Sequence, residues 1–498
     1  MLRSTPETDP PLQKHLLRGS LWAIALRWAV RAIGLVSTVI LARLLTPADY
    51  GIVAIAMLIV GTVETFSNTG QHAALIRHPN PTREHYDSVW TISVLLGLFL
   101  GAIILAAVPL TVGYFNEPRA AAVVEILALR TAFLGFQNVG IVNFQRDFEF
   151  HRQFRFNVYS TLFSFAATVM SAFLLRNYWA LVIGIMSKQA AIVVLSFTMQ
   201  SYRPSISFAK VGEIWSFSIW TLLKSVGIHI SAQIDKLSIG SFGGATAMGR
   251  YDVAQDVSSS PVQELVAPMV AVLSPVMAKV QDDHERRRAL YMSVLYVSAI
   301  ICASISVGMA LVASDLVDVV LGPQWSEVKP LLPWLALSYG VLGLASGVYS
   351  AFDTLGKPMV SARLQWICLI ILSLVIFPVG YQLRELETIA AARFAVSLLL
   401  TPMLFYALGK ALKVRPRDFL MTLRRPFAAS LVMAIAIASI NSVIEFDGAP
   451  RLMIDIALGA SVFVSTLLAL WLLSGRPEGP EQVLWAAVNR RAAPLLRK

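Results

Sequence analysis

Seven of the chain's 41 Lys and Arg residues lie inside long apolar stretches: Arg27, Arg31, Arg130, Lys188, Lys224, Lys236 and Arg393. A charge at mid-bilayer costs about 2.5–3.5 kcal/mol or more, so such a group faces a counter-charge or a wet cavity rather than lipid. Arg27 and Arg31 stand four residues apart, hence on one helix face, and form a basic stripe. Arg31 falls about eleven residues, roughly 16 Å, into its stretch, close to mid-membrane. Arg130, Lys188 and Lys224 are also central, and His229 follows Lys224 on the same stretch. Guanidinium groups grip phosphate through a planar fork and ammonium groups as point charges. Arg27, Arg31, Arg130, Lys188, Lys224 and His229 are therefore candidates for a cationic cleft that receives an anionic, phosphate-bearing group.

The acids offer a second chemistry. Glu64, Asp235, Asp256 and Glu264 are candidates for a coupling ion, proton or sodium, because carboxylates in low dielectric exchange protons and clustered oxygens hold sodium. The alternative is structural: these acids pair with the bases, and Arg27 and Arg393, near span ends, snorkel to an interface. Lys236 reads as part of a local charge network with the adjacent Asp235. Asp252 and Asp256, one turn apart, read as mouth or cap residues. Pro261, Pro268 and Pro275 recur every seven residues and align on one helix face. Each removes a backbone donor, which marks a candidate hinge for an outer gate, with static packing as the alternative.

The elements that must hold these groups follow from composition. Of 498 residues, 56% are hydrophobic and 14% charged, against roughly 45–50% and 25% for soluble domains. That balance excludes a soluble fold and predicts an all-α polytopic membrane protein. Apolar runs bounded by Gly, Pro and charge give fourteen candidate spans: 20–44, 51–76, 86–112, 120–144, 154–175, 178–200, 212–240, 249–277, 289–312, 328–352, 362–381, 387–408, 426–444 and 453–473. Residues 1–18 are polar and Arg27 and Arg31 interrupt the first apolar run, so no cleavable signal is expected. If the N-terminus is cytoplasmic, the inner connections hold 27 basic residues and the outer ones 7. Basic residues are retained in the cytoplasm, so both termini are expected there.

The two halves resemble one another. Ser20-Leu21-Trp22 matches Ser218-Ile219-Trp220, and Gly51 and Ala56 match Gly249 and Ala254, all at an offset of 198. Leu134-Gly135, Phe144 and Arg155 match Leu342-Gly343, Phe352 and Arg363 at 208. The first offset sets His229 opposite Arg31. The expected organisation is a cytoplasmic segment 1–19, a six-helix bundle over 20–205, a second over 206–408 related by a pseudo-two-fold along the membrane normal, a basic linker 409–425, helices 13 and 14 over 426–473, and a basic tail 474–498. Gly97-x-x-x-Gly101 and Gly343-x-x-x-Gly347 read as packing within a bundle. Cys302 and Cys368 both lie in apolar runs, so neither a disulfide framework nor a thiolate metal site is expected. The longest outer loop, 313–329, is too short for a catalytic domain. The P-loop, H-E-x-x-H and G-x-S-x-G motifs are absent from the sequence.

The segment Leu41-Ala42-Arg43-Leu44-Leu45-Thr46-Pro47-Ala48-Asp49-Tyr50-Gly51 looks like the first loop of bacterial polysaccharide flippases. With the tandem six-span repeat and two added helices, the chain resembles the Wzx-type oligosaccharide flippase family, particularly its colanic-acid-exporter-like branch. That family belongs to the multidrug/oligosaccharidyl-lipid/polysaccharide exporter superfamily. The resemblance implies a non-enzymatic flippase that moves undecaprenyl-diphosphate-linked oligosaccharide to the periplasmic leaflet by ion-coupled alternating access. Its implied partners are lipid-linked oligosaccharide, membrane lipids and polysaccharide polymerase machinery, with no nucleic acid and no cofactor beyond the coupling ion. Within Pro47-x-Asp49-Tyr50-Gly51, Asp49 reads as an N-cap and Gly51 as a helix-start glycine. Competing expectations are a flippase for lipid-linked peptidoglycan precursor, a multidrug/cation antiporter, or, outside transport, a membrane glycosyltransferase or polysaccharide polymerase.

Overall fold

Backbone that crosses hydrocarbon must satisfy its own N–H and C=O groups, which for a chain of this kind means helices. The structure, a computed structural model, describes residues 10–67, 71–78, 80–147, 149–214, 219–280, 283–442, 448–475 and 481–482, and regular secondary structure among them is helical throughout. The long helices are α1 (Pro10–Leu44), α2 (Pro47–Glu64), α3 (Arg83–Phe115), α4 (Arg119–Leu134), α5 (Phe150–Leu175), α6 (Trp179–Met199) and α7 (Ile219–Gly240). They continue with α8 (Gly244–Lys279), α9 (His284–Leu311), α10 (Leu331–Thr354), α11 (Pro358–Leu383), α12 (Leu386–Leu412), α13 (Pro416–Asn441) and α14 (Ala449–Leu473). Each span expected from the sequence overlaps one of them. Ten are long and apolar enough to cross a membrane, eleven if one bent pair is taken as a single span, among the described residues. Large apolar side chains stand outward on them, as Leu110, Leu174 and Leu473 do at 75%, 77% and 84% exposure. Outward apolar faces of that extent suit lipid rather than water.

Two expected spans are shorter as helices than their apolar runs. The run 51–76 leaves the α-helix at Glu64, and a separate short helix covers Gln71–Arg77. The run 120–144 breaks after Leu134 and resumes over Val139–Arg146, bent by 71°. Asn138 holds the break: its side-chain oxygen accepts from Gly140 N at 2.9 Å, its Nδ2 donates to Tyr202 O at 2.7 Å, and its backbone N–H donates to Ser196 Oγ at 3.0 Å. An Asn that satisfies loop backbone in this way competes with helix continuation. The expected outer loop 313–329 is itself built of short helical turns.

The chain divides into two compact units. The first runs to His229 and takes in Gly243–Gly249; the second comprises Ile230–Phe242 and Arg250 onward, so the chain passes between them within α7 and again near the start of α8.

In the first unit, α2 begins on a capping box in which Thr46 is the N-cap and Asp49 the third helical residue. Thr46 N donates to Asp49 Oδ2 at 2.9 Å and Asp49 N to Thr46 Oγ at 3.3 Å, satisfying donors that a helix start leaves open. Asp49 is thus not the cap, as its place in the motif suggested. Its second oxygen accepts from Tyr178 N at 2.9 Å and fixes the start of α6 beside that of α2. Gly51 serves close approach: a Cβ there would lie 1.6 Å from Ala245 O, while one on Gly249 would lie 1.9 Å from Pro47 O. These two glycines are the pair related by the offset of 198, and each faces the other's helix. Gly97 and Gly101 similarly bring α3 onto the backbone of α4. At the opposite end, the extended segment after α6 is laced to α3: Ser205 N and Oγ donate to the two oxygens of buried Asp87 at 2.9 and 2.8 Å, Tyr202 donates to the same carboxylate, and Ser207 N donates to Thr91 Oγ at 3.0 Å. Burial and this bond to Asp87 push the Tyr202 hydroxyl well above its ordinary titration range.

In the second unit, Gly343 lets α10 press onto Cys302 of α9. Helices α13 and α14 meet through Ala429, Met433, Ile437, Phe463 and Leu467, and rest on Ile300, Val307 and Leu311 of α9. Helix α8 runs unbroken through Pro261, Pro268 and Pro275.

Candidate functional site

Glu64 closes α2, and its carboxylate takes both Arg130 Nη1, at 2.9 and 3.1 Å, and Thr131 Oγ, at 2.7 Å, from α4. Arg130 is therefore committed to a counter-ion rather than standing open as the basic pattern alone suggested. Its charge lies within electrostatic range of Lys188 on α6. One turn before Glu64, Gly61 leaves room for the His229 ring of α7; a Cβ there would be 3.2 Å from His229 Cε1. Helices α2, α4, α6 and α7 thus bring Glu64, Arg130, Lys188 and His229 to one region of the first unit. Lys188 is the tenth residue of the 21 in α6, is exposed, and has no ion pair or hydrogen bond among the described residues. Arg31 is half-buried at mid-span on α1 and likewise has none among the described residues. Arg27 is exposed and Lys224 half-buried, each with interactions of its own.

The acids proposed for ion coupling do not assemble. Among the described residues no three His, Cys, Asp or Glu side chains converge to hold a metal ion. Glu64 is taken by Arg130. Asp235, fully buried in the second unit, accepts from Arg393 Nη1 of α12 at 2.6 Å and from the Tyr251 hydroxyl of α8 at 2.6 Å. Arg393 also donates to Ser231 O at 3.3 Å and lies over the Tyr339 ring at 5.4 Å from its centroid. A guanidinium and a hydroxyl at bonding distance take Asp235 Oδ2, while Oδ1 has no hydrogen bond among the described residues. Lys236 pairs with Asp252, not with Asp235, because neighbouring residues on a helix point apart whereas α7 and α8 run side by side here. Arg250 pairs with Glu327. Asp256 is exposed and accepts from Ser260 Oγ at 3.1 Å, and Glu264 is half-buried.

The family described as "Polysaccharide biosynthesis protein" matches residues 40–330, from the last turns of α1 to the end of the turns before α10. The chain belongs to that family. The Leu41–Gly51 segment, which resembles that of Wzx-type polysaccharide flippases, falls inside the match. It is similar to the lipopolysaccharide biosynthesis protein WzxC of Escherichia coli (strain K12), 24% identical over 352 residues, which are 69% of this chain and 70% of WzxC. The teichuronic acid biosynthesis protein TuaB of Bacillus subtilis (strain 168) is 21% identical over 92% of this chain and 96% of its own length. Among solved structures, the lipid II flippase MurJ in its inward closed conformation superposes with a TM-score of 0.73 at 12% identity, over 91% of this chain and 99% of MurJ. At that identity the likeness speaks for the fold.

The sequence reading missed the Asp87 strap and the Asn138 break. Asp87 sits four residues after Arg83 at the start of an apolar run, where an acid passes for a helix-start residue. Its partners, Tyr202 and Ser205, lie more than a hundred residues away and carry no local signal.

Proposed function

We propose that this protein flips a saccharide linked to undecaprenyl diphosphate from the cytoplasmic to the periplasmic leaflet of a bacterial inner membrane, by ion-coupled alternating access and without chemistry on the substrate. The single observation that carries the reading is Lys188: a mid-helix, exposed lysine with no counter-ion among the described residues, next to the Arg130–Glu64 pair. A lysine at that depth is retained where it meets water and an anionic ligand rather than lipid. Arg31, half-buried at mid-helix on α1, likewise has no counter-ion among the described residues. Membership of the polysaccharide biosynthesis family supports a lipid-linked glycan as the cargo, and the names of WzxC and TuaB point to cell-surface polysaccharides. In this reading Lys188 and Arg31 attract the diphosphate, Arg130 is held in position by Glu64, and His229 lines the same region. Polymerase machinery would receive the flipped repeat unit.

The test is export of polysaccharide in cells that lack their own flippase and carry this chain. Arg31→Ala and Lys188→Gln should each lower export at least tenfold at unchanged protein abundance, with lipid-linked repeat units accumulating on the inner face. Normal export by both variants refutes the headgroup role.

A further inference from the structure

The second unit carries a feature that plays no part in that reading. An apolar groove of about 450 Å³ opens between α10, α12 and α13, floored by the stacked rings of Phe405 and Phe419, whose centroids are 5.0 Å apart, and walled by Pro402, Tyr406, Leu420 and Phe427. Along α13 its lining runs from Pro416 to Phe427, eleven residues or about 16 Å at helical rise, close to the depth of one leaflet of a bilayer whose hydrocarbon is about 30 Å thick. The rings and prolines are stiff, so the groove is preformed.

Its mouth is basic. Lys410 Nζ lies 4.6 Å from the centroid of the Tyr406 ring, which lines the groove, and Lys413, Arg415 and Arg417 are exposed on the turn between α12 and α13. None of these four side chains has an ion pair among the described residues. The one acid of the turn, Asp418, is held by Arg288 at 2.6 Å and by the backbone N–H of Arg415. We infer that this groove is a binding site for an anionic phospholipid, with one acyl chain along the Phe405–Phe419 floor and the phosphate headgroup on Lys410, Lys413 and Arg417. The pairing of a leaflet-deep apolar channel with uncompensated cations at one end carries the inference. A neutral lipid would leave the cations without a counter-charge, and a soluble anion would leave the groove empty.

The test uses the full-length chain, purified in detergent, stripped of lipid and titrated with dioleoyl phosphatidylglycerol or dioleoyl phosphatidylcholine, with bound lipid counted by native mass spectrometry. Each basic residue near an anionic lipid contributes about a fivefold gain in affinity. The expected result is preferential retention of phosphatidylglycerol, with Lys410→Gln/Lys413→Gln/Arg417→Gln losing about 100-fold in affinity for it and none for phosphatidylcholine. Leu420→Trp, which fills the groove and leaves the charges in place, should displace one bound phosphatidylglycerol. Equal retention of the two lipids by the wild-type chain overturns the inference, as does unchanged binding to the Leu420→Trp chain. Tighter binding of undecaprenyl diphosphate than of phosphatidylglycerol, lost in both variants, also overturns it and assigns the groove to the cargo's tail. These outcomes do not depend on Lys188 or Arg31, so failure here leaves the flippase reading standing.

Discussion

Replacing Arg393 by Met strands a carboxylate in the driest part of the second unit. Asp235 has no exposed surface and Arg393 only 3%. Asp235 Oδ2 takes both Arg393 and Tyr251, and neither Asp235 Oδ1 nor Arg393 Nε has a hydrogen-bond partner among the described residues. Loss of Arg393 leaves the acid with one neutral donor, and breaking a buried pair by removing one member costs about 3–5 kcal/mol. Exchanging both charges for side chains of similar volume removes the desolvation penalty together with the attraction, so Asp235→Asn/Arg393→Met should recover most of that loss. Unfolding of the detergent-solubilised chain, followed by circular dichroism, gives the double-mutant cycle, and the expected coupling energy is at least about 2 kcal/mol. A double variant as unstable as Arg393→Met alone would show that the pair is not the source of the loss and refute the reasoning. The same variants test coupling. Because the guanidinium already occupies Asp235, the folded double variant should keep polysaccharide export, whereas loss of export at normal abundance would place Asp235 in the coupling step.

The reciprocal glycines make a second target. Gly51→Ala and Gly249→Ala each place a methyl inside backbone, 1.6 Å from Ala245 O and 1.9 Å from Pro47 O. Each should destabilise by about 1–3 kcal/mol through helix displacement, and the double by less than the sum, because one displacement relieves both clashes; unfolding midpoints of the four chains check this. Pro268→Ala restores a backbone donor in α8, and if that helix bends at the gate the variant should slow export severalfold and change the labelling of cysteines placed at its outer end. Unchanged export with unchanged labelling leaves Pro268 a packing residue.

The helices were legible because hydrocarbon imposes one rule on every span: about twenty apolar residues with their backbone bonded internally. All fourteen helices fall on the apolar runs, from α1 to α14, although among the described residues only ten or eleven of them meet that rule by themselves. What broke a helix was less visible. At Asn138 a single polar residue, its side chain bonded to Gly140 and Tyr202 and its backbone N–H to Ser196, holds the break after α4 where hydropathy continues. The repeat was legible as spacing, but its structural meaning at Gly51 and Gly249, where each helix start rests on the other, required three dimensions. Charges were easy to locate and hard to pair. The partner of Arg130 lies 66 residues away and that of Arg393 lies 158 residues away. Periodicity along one helix carries no information about either.

That pairing separates charges that a list of buried residues treats alike. In the second unit Asp235 and Arg393 neutralise one another, Lys236 is matched by Asp252 and Arg250 by Glu327. These cations stabilise their own surroundings and need no ligand. In the first unit Arg130 is matched by Glu64, but Lys188 and Arg31 have no counter-ion among the described residues. Each such group, set at mid-span, carries an insertion cost of about 2.5–3.5 kcal/mol that no hydrogen bond or ion pair among the described residues offsets. A packing role does not account for that cost, since Leu or Met would fill the same volume without it. An anion that visits and leaves does, and it must not bind a fixed carboxylate's place too tightly to be released. In the proposed reading, a surplus of positive charge rather than a closed ion pair is what such a transient ligand requires, and Lys188 and Arg31 would supply it.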